Sequence, residues 1–188
     1  MRKIGLIVTG IAGAIALVLA GSASATILEQ ATFHDEFSDR ARNFCDVDGL
    51  TVRLDTSVDG RFLVTSRGAD QLAYYQEHVK VRQVITNVRT REFVTEVDTV
   101  LDKDHRVTDN GDGTLTVTVL ATGNGTLYGS DGKAIARNPG QIRFEILLDH
   151  GGTPGDPSDD EFLEFLGTVK GSTGRSDDFC AAIVDAIG

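Results

Sequence analysis

Alternating positions near the middle of the chain carry a row of basic side chains. His78, Lys80 and Arg82 are separated by single valines. Alternate residues of a strand point to the same face, so these groups would share one face, and Tyr74 has the same phase. Inside a cavity the row would bind a carboxylate or phosphate. Facing water it would be an ordinary solvated surface, because charged residues are rarely buried unpaired. We therefore favour a solvated face, with Tyr74, His78, Lys80 and Arg82 as the candidate ligand-binding residues if the row lines a cavity.

Three residues could support proton transfer. Tyr75, His78 and Glu96 are candidate catalytic residues, because a few polar groups in an apolar cavity are sufficient for acid–base chemistry. No established motif accompanies them: the sequence has no Gly-x-Ser-x-Gly, His-Glu-x-x-His, phosphate loop, dinucleotide-binding fingerprint or Cys-x-x-Cys. The sequence therefore assigns no catalytic residue and implies no cofactor.

An acidic loop near the C-terminus has the ligand types that a hard cation prefers. Its candidate metal ligands are Asp149, Asp156, Asp159, Asp160 and Glu161. Their spacing fits no metal-binding template, and the interleaved glycines and prolines predict a turn-rich loop in which carboxylates cap the neighbouring strands. We expect no metal here, with a cation site as the alternative.

The turn at residues 109–113, Asp-Asn-Gly-Asp-Gly, also contains calcium-ligand residue types. With Gly113 at the invariant sixth position of an EF-hand loop, Thr108 falls at position 1 and Val119 at position 12. An EF-hand requires Asp and Glu at those positions, so the template fails. Asn and Gly instead supply the positive φ of a hairpin, and the alternation in 114–119 predicts a strand after the turn.

The chain has two cysteines, Cys45 and Cys180. In an exported protein they would form a single disulfide, and two separate buried thiols are the alternative. Such a bond would tie the N-terminal segment to a C-terminal helix.

The N-terminus has the organisation of a signal peptide. Arg2 and Lys3 precede an uncharged, mostly apolar run over residues 4–20, and Ala23-Ser24-Ala25 fits the small-x-small cleavage rule. We predict cleavage of residues 1–25, a single domain over 26–188 and secretion. The alternative is a retained membrane anchor, which the glycines of the run disfavour.

The formal net charge of −10 excludes several classes of partner. A chain this acidic does not hold a nucleic-acid backbone by counterion release, and it is repelled by anionic membrane surfaces. We therefore expect no nucleic acid and no membrane as partners after cleavage of the signal peptide.

Period-two alternation indicates an all-β domain. It is clearest in residues 50–56, 114–119 and 141–148, and Gly-rich or Pro-rich turns separate about eight such segments. Residues 32–44 carry aromatic residues at helical spacing and predict a short helix or cover, with an edge strand as the alternative. Residues 176–187 predict a short C-terminal helix with Ser176 as its N-cap.

Sequential strands with short turns favour an eight-stranded antiparallel barrel of lipocalin-like type. A barrel of this size can hold one small, partly apolar ligand, so the leading interpretation is a non-enzymatic secreted binding protein. A cofactor-free barrel enzyme of the cyclase or isomerase type is one alternative. A filled barrel that acts through its surface is the other.

Five short segments carry a resemblance to known sequences: Tyr74-Tyr75 with His78, 86–90, 109–114, 151–154 and 156–160. Together they resemble a group of exported actinobacterial proteins over most of residues 26–188. The resemblance implies bacterial export and brings no activity or site residue with it. In architecture alone the strand pattern is similar to lipocalin-type and allene-oxide-cyclase-type barrels, and a shared fold does not fix function.

Overall fold

The computed structural model describes residues 25–188. The predicted signal peptide, residues 1–25, lies outside this range apart from Ala25. The strands are β1 (Thr26–Ala41), β2 (Val52–Arg67), β3 (Leu72–Asn87), β4 (Phe93–Asp109), β5 (Thr114–Tyr128), β6 (Ala134–Asp149) and β7 (Glu161–Lys170). One helix, α1 (Phe179–Ile187), follows them, and short 3-10 turns lie at Phe44–Asp46 and Pro157–Asp159. None of the helical segments within 25–188 has the length and apolarity to cross a membrane.

The seven strands form one antiparallel sheet in which each strand pairs with its neighbour in sequence, from β1 to β7. The all-β prediction is confirmed, but the predicted eight-stranded closed barrel is not what forms. Within residues 25–188 the sheet is open, and β1 and β7 are its two edges. These edges carry most of the exposed large apolar side chains. On β1 they are Ile27, Leu28 and Phe37, and on β7 they are Phe162, Leu163, Phe165, Leu166 and Val169.

The strand count was wrong because glycine and proline do not break these long strands. Asp59-Gly60 and Pro139-Gly140 are typical turn sequences, yet β2 continues through the first and β6 through the second. Gly60 pairs with Phe33 of β1, and the Phe33 ring occupies the space that a Gly60 side chain would need. Glycine here permits a close approach between strands.

The predicted N-terminal helix is also wrong, because residues 26–41 form β1 and pair with β2. Phe33, Phe37 and Ala41 are four residues apart, which fits a helical face. The same spacing is an even number, so it also places all three on one face of a strand. The edge-strand alternative is the one that the structure supports.

The hairpin prediction at residues 109–113 is confirmed. β4 and β5 pair up to Asp109 and Leu115, and Gly111 and Gly113 have positive φ. The two aspartates of the turn are occupied within it. Asp109 Oδ1 accepts a hydrogen bond from the Gly111 N–H (2.8 Å), and Asp112 Oδ1 accepts one from the Thr114 N–H (3.1 Å).

Helix α1 packs on one face of the sheet, which we call the inner face. Its Ile183 and Ile187 pack into a core with the buried strand residues Val52, Ile85, Val94, Leu127 and Ala136. The predicted C-terminal helix is thus confirmed, although Asp178 rather than Ser176 is the N-cap: its carboxylate accepts from the Ala181 N–H at 2.9 Å.

The predicted disulfide is confirmed between Cys45, in the turn after β1, and Cys180 in α1. A second link to the sheet comes from Asn87, whose Nδ2 donates to the Ile187 carbonyl at 2.6 Å. These bonds fix the helix over one end of the inner face. We call this part of the molecule the helix-capped end.

Candidate ligand cavity

The opposite end of the inner face contains a cavity of about 370 Å³. The loop between β6 and β7 contributes Pro157 and Asp160 to its lining. Strand residues supply apolar walls, which are Val64, Ala73, Val107, Leu115, Val117, Val119, Phe144, Ile146 and Leu148. Small-molecule sites have this composition, with mostly apolar walls and a few polar groups that orient the ligand.

The sheet places three acidic side chains in this cavity, and a loop adds a fourth. Glu77 of β3 lies directly opposite Asp102 of β4, so both project from the inner face. Asp104 follows two residues later with the same phase, just before a bulge in β4. Asp160 comes from the loop that precedes β7 and lines the same space.

Asp104 is placed where β3 and β4 separate. The register between these strands ends at Gln76 and Lys103, and the Asp104 Oδ2 instead accepts from the Tyr75 N–H at 2.7 Å. Burial raises the pKa of Asp104 to about 6, although the Tyr75 N–H and Arg67 act in the opposite direction. The charge of Asp160 adds to the rise. A carboxyl group with this pKa exchanges its proton near neutral pH.

Two other carboxylates of the cavity each have one buried oxygen that accepts no hydrogen bond. Among residues 25–188, Asp102 Oδ1 and Asp160 Oδ1 have no hydrogen-bond partner. Burial raises the pKa of both groups, and the nearby Glu77 raises that of Asp102 further. A buried polar atom without a partner costs free energy, so such atoms require an explanation.

Tyr75 supplies an aromatic wall and a hydroxyl group. Its ring stacks on Phe62 with centroids 5.9 Å apart. Burial raises the pKa of Tyr75 to about 12, and the charge of the neighbouring Glu77 contributes to the rise. The hydroxyl therefore remains protonated at physiological pH and is available as a donor.

The loop that contributes Asp160 is fixed by hydrogen bonds within it. His150 is buried, its backbone N–H donates to the Gly113 carbonyl at 3.1 Å, and its Nδ1 accepts from the Gly152 N–H at 3.2 Å. Thr153 donates its hydroxyl to Asp159. The histidine thus attaches this loop to the β4–β5 hairpin.

The candidate metal ligands of this loop are directed to different partners. Asp149 accepts from the Gly151 N–H at 2.9 Å, and Asp156 accepts from the Ser158 N–H at 3.1 Å. Asp160 lines the cavity, while Glu161 is exposed at the start of β7. Within the described part of the chain, no group of three or more His, Cys, Asp or Glu residues is arranged to hold a metal ion.

A second acidic pair lies between the cavity and α1. Glu96 and Asp98 line a space of about 530 Å³ that also contacts Phe179 of the helix. Burial raises the pKa of both groups, and the charge of Asp98 raises that of Glu96 further. This pair shares the inner face with Asp102 and Asp104, because all four residues have the same phase in β4.

The predicted basic row lies on the outer face of the sheet. His78 pairs with Arg61 and Leu101, and Lys80 and Arg82 follow it with the phase opposite to that of Tyr75 and Glu77. Lys80 and Arg82 are exposed, while His78 contacts a separate groove beside β1.

Tyr74, predicted with this row, lies apart from it at the start of β3. The Arg67 guanidinium stacks over the Tyr74 ring at 4.7 Å from its centroid, and the Tyr74 hydroxyl accepts from the Val107 N–H at 3.4 Å. The four predicted ligand-binding residues therefore do not converge on one cavity.

The three candidate catalytic residues are also separated. Tyr75 lines the cavity, His78 points to the outer face, and Glu96 lies in the acidic pair beside the helix. Sequence reasoning missed Glu77, Asp102 and Asp104. A signal was present in β4, where Glu96, Asp98, Asp102 and Asp104 share one phase with valines.

Comparisons of the chain with protein-family models, with curated proteins and with solved structures find no match.

Proposed function

We propose that the protein is an exported binding protein that holds a small, partly apolar ligand in the cavity between the inner face and the β6–β7 loop. The observation that carries this proposal is the cavity itself, about 370 Å³ in volume with apolar walls and converging polar groups. Cavities that accept small molecules have volumes of about 300–1,000 Å³. Export is supported by the N-terminal sequence and by the Cys45–Cys180 disulfide, because such bonds persist in oxidising compartments.

Binding of a neutral apolar fluorescent probe tests the proposal. N-phenyl-1-naphthylamine would be titrated into the disulfide-bonded protein, with fluorescence as the measurement. Leu148→Trp fills the cavity, because Leu148 is one of its wall residues. We expect this variant to weaken probe binding at least about tenfold.

Leu147→Trp is the matched control. Leu147 is the neighbouring residue of β6, and its alternate phase places it on the outer face. We expect it to leave probe binding unchanged. Absence of probe binding to the unmodified protein, or equal effects of the two tryptophans, would contradict the proposal.

A second candidate function is cofactor-free acid–base catalysis in the same cavity. The observation that favours it is Asp104, because burial raises the pKa of its carboxyl group to about 6. Tyr75 lies beside it, and its hydroxyl group remains protonated because its pKa is raised to about 12. Native mass spectrometry of the protein purified from its own host separates the two candidates. A compound that co-purifies with Asp104→Asn but is recovered chemically altered from the unmodified protein indicates an enzyme. The same unaltered compound from both indicates a binding protein.

A further inference from the structure

We infer that the ligand carries a positively charged nitrogen, an ammonium or amidinium group, which binds at the carboxylates of the cavity while its apolar body contacts the opposite walls. This inference rests on the proposed binding function and specifies the chemical class of the ligand.

The first support is the unbalanced charge of the cavity. Its acidic side chains are Glu77, Asp102, Asp104 and Asp160. Lys103 is the one cationic residue of the lining, and its phase in β4 directs it toward the outer face. Arg67 lies outside the lining, and its charge acts on Asp104 but not on Asp102 or Asp160. Within residues 25–188, none of these acidic groups belongs to a salt bridge. A mostly apolar cavity with several partly buried carboxylates favours a cationic ligand, since buried charges are normally paired.

The second support is independent of the charge count. Asp102 Oδ1 and Asp160 Oδ1 are buried, and among the described residues neither has a hydrogen-bond donor. Both residues line the cavity. Buried acceptors are nearly always satisfied in native proteins, so these two carboxylates retain an unused capacity to accept a hydrogen bond. An ammonium group provides three N–H donors and no acceptor, which matches these atoms.

The walls indicate that the rest of the ligand is organic. Leu115, Val117 and Ile146 offer an apolar surface, and the Tyr75 ring in the same lining can accept a cation on a face. A hard metal ion would require six to eight oxygen ligands. The described residues offer no such group, so an organic cation fits better than a metal ion.

A matched ligand series tests the charge. Hexylammonium, hexanol and hexanoate have the same apolar body and differ in charge. Each would displace N-phenyl-1-naphthylamine from the disulfide-bonded protein at pH 7.5 and low ionic strength. We expect hexylammonium to bind at least about tenfold more tightly than hexanol, and hexanoate to bind most weakly.

Substitutions of single aspartates identify which carboxylate of the cavity is responsible for the preference for a cation. We expect Asp102→Asn to weaken hexylammonium about tenfold and to change hexanol less than about twofold, because it removes a charge without changing the shape of the side chain. Asp70→Asn makes the same change at an exposed turn residue and should alter neither ligand. Asp104→Asn provides a second test if Asp102→Asn fails to fold, which near-ultraviolet circular dichroism would show.

The outcomes separate this inference from the proposed function. Hexanol binding as tightly as hexylammonium, or equal losses of both ligands in the folded variants, would overturn the cationic ligand and leave the binding function intact. If neither the neutral probe nor any member of the series binds, the binding function fails and this inference fails with it.

Discussion

The two ends of the inner face are built from the same sheet but satisfy their side chains in opposite ways. At the helix-capped end, Val52, Ile85, Val94 and Leu127 are almost completely buried under α1. At the cavity end, acidic side chains stand among the apolar ones, and two of their oxygens have no partner within residues 25–188. Close packing at one end and unmet polar groups at the other separate the part of the sheet that stabilises the fold from the part where we propose that a ligand binds.

The difference also shows where a small domain can tolerate unfavourable electrostatics. Burial raises the pKa of Asp102, Asp104 and Asp160, so ionisation of each opposes folding at neutral pH. The helix-capped end offsets this cost with close packing, the Asn87 hydrogen bond and the disulfide. Substitutions at the two ends should therefore change the free energy of unfolding by different amounts.

Removal of the disulfide has the largest expected effect. The bond joins residues that are 135 positions apart, so its loss frees a long loop in the unfolded chain. We expect the Cys45→Ala/Cys180→Ala double variant to lose about 4–5 kcal/mol of unfolding free energy. Urea denaturation provides the measurement. The reduced unmodified protein serves as the control and should lose a similar amount, whereas a loss below about 1 kcal/mol would show that the bond does not support this end.

Truncation of core isoleucines compares the packing of the two ends directly. Ile85→Ala removes a side chain that is 1% exposed beneath the helix, and we expect a loss of about 3 kcal/mol. Ile146→Ala makes the same change at the cavity wall, where part of the side chain already faces open space, and should cost about 1 kcal/mol. Equal losses in urea denaturation would mean that the cavity end is as well packed as the other.

Neutralisation of Asp104 should stabilise the protein, but only at higher pH. The pKa of Asp104 rises from 3.8 to about 6 on folding. Its contribution to stability is therefore present below about pH 4 and is lost as the pH rises through 6. The two values correspond to about 3 kcal/mol, and partial solvation reduces this to about 1–2 kcal/mol. We expect Asp104→Asn to be more stable than the unmodified protein by this amount at pH 8 and equal to it near pH 4.

Thermal denaturation across this pH range provides the measurement, with Asp70→Asn as the control. The charged or titratable groups that face Asp104 are Arg67, Tyr75, Glu77, Asp102 and Asp160, which lie on β2, β3, β4 and the loop before β7. Their own titrations affect both proteins, so the difference between the two proteins isolates Asp104. A destabilised variant at pH 8 would show that the carboxylate is needed ionised in the folded state.

The sequence predicted the class of fold because alternation and turn chemistry are local. The hairpin at Gly111 and Gly113 and the helix around Cys180 follow from such signals. The limits of the strands were not predictable in this way. Gly60 and Pro139 look like breaks, yet both continue their strands. The Phe33 ring fills the space beside Gly60, and Pro139 stays in register with Asn124 of β5, so both outcomes depend on tertiary context.

The candidate site was less predictable than the fold, and the reason lies in β4. Valine occurs in both phases of this strand: Val94 and Val100 alternate with the acidic residues on the inner face, whereas Val97 is on the outer face. Apolar content therefore does not reveal which face is covered. The inner face of β4 is the covered one because α1 and the loop around Asp160 pack over it, and both are distant from β4 in sequence.

The position of the disulfide also has a consequence for biogenesis. Cys180 follows all seven strands, whereas Cys45 comes between the first two. In a chain that is delivered N-terminus first, every strand can pair with its predecessor before the partner of Cys45 arrives. Cys45 must then persist as an unpaired thiol throughout delivery, exposed to mixed disulfides with other proteins. The Cys45–Cys180 bond can therefore form only after all seven strands have been delivered.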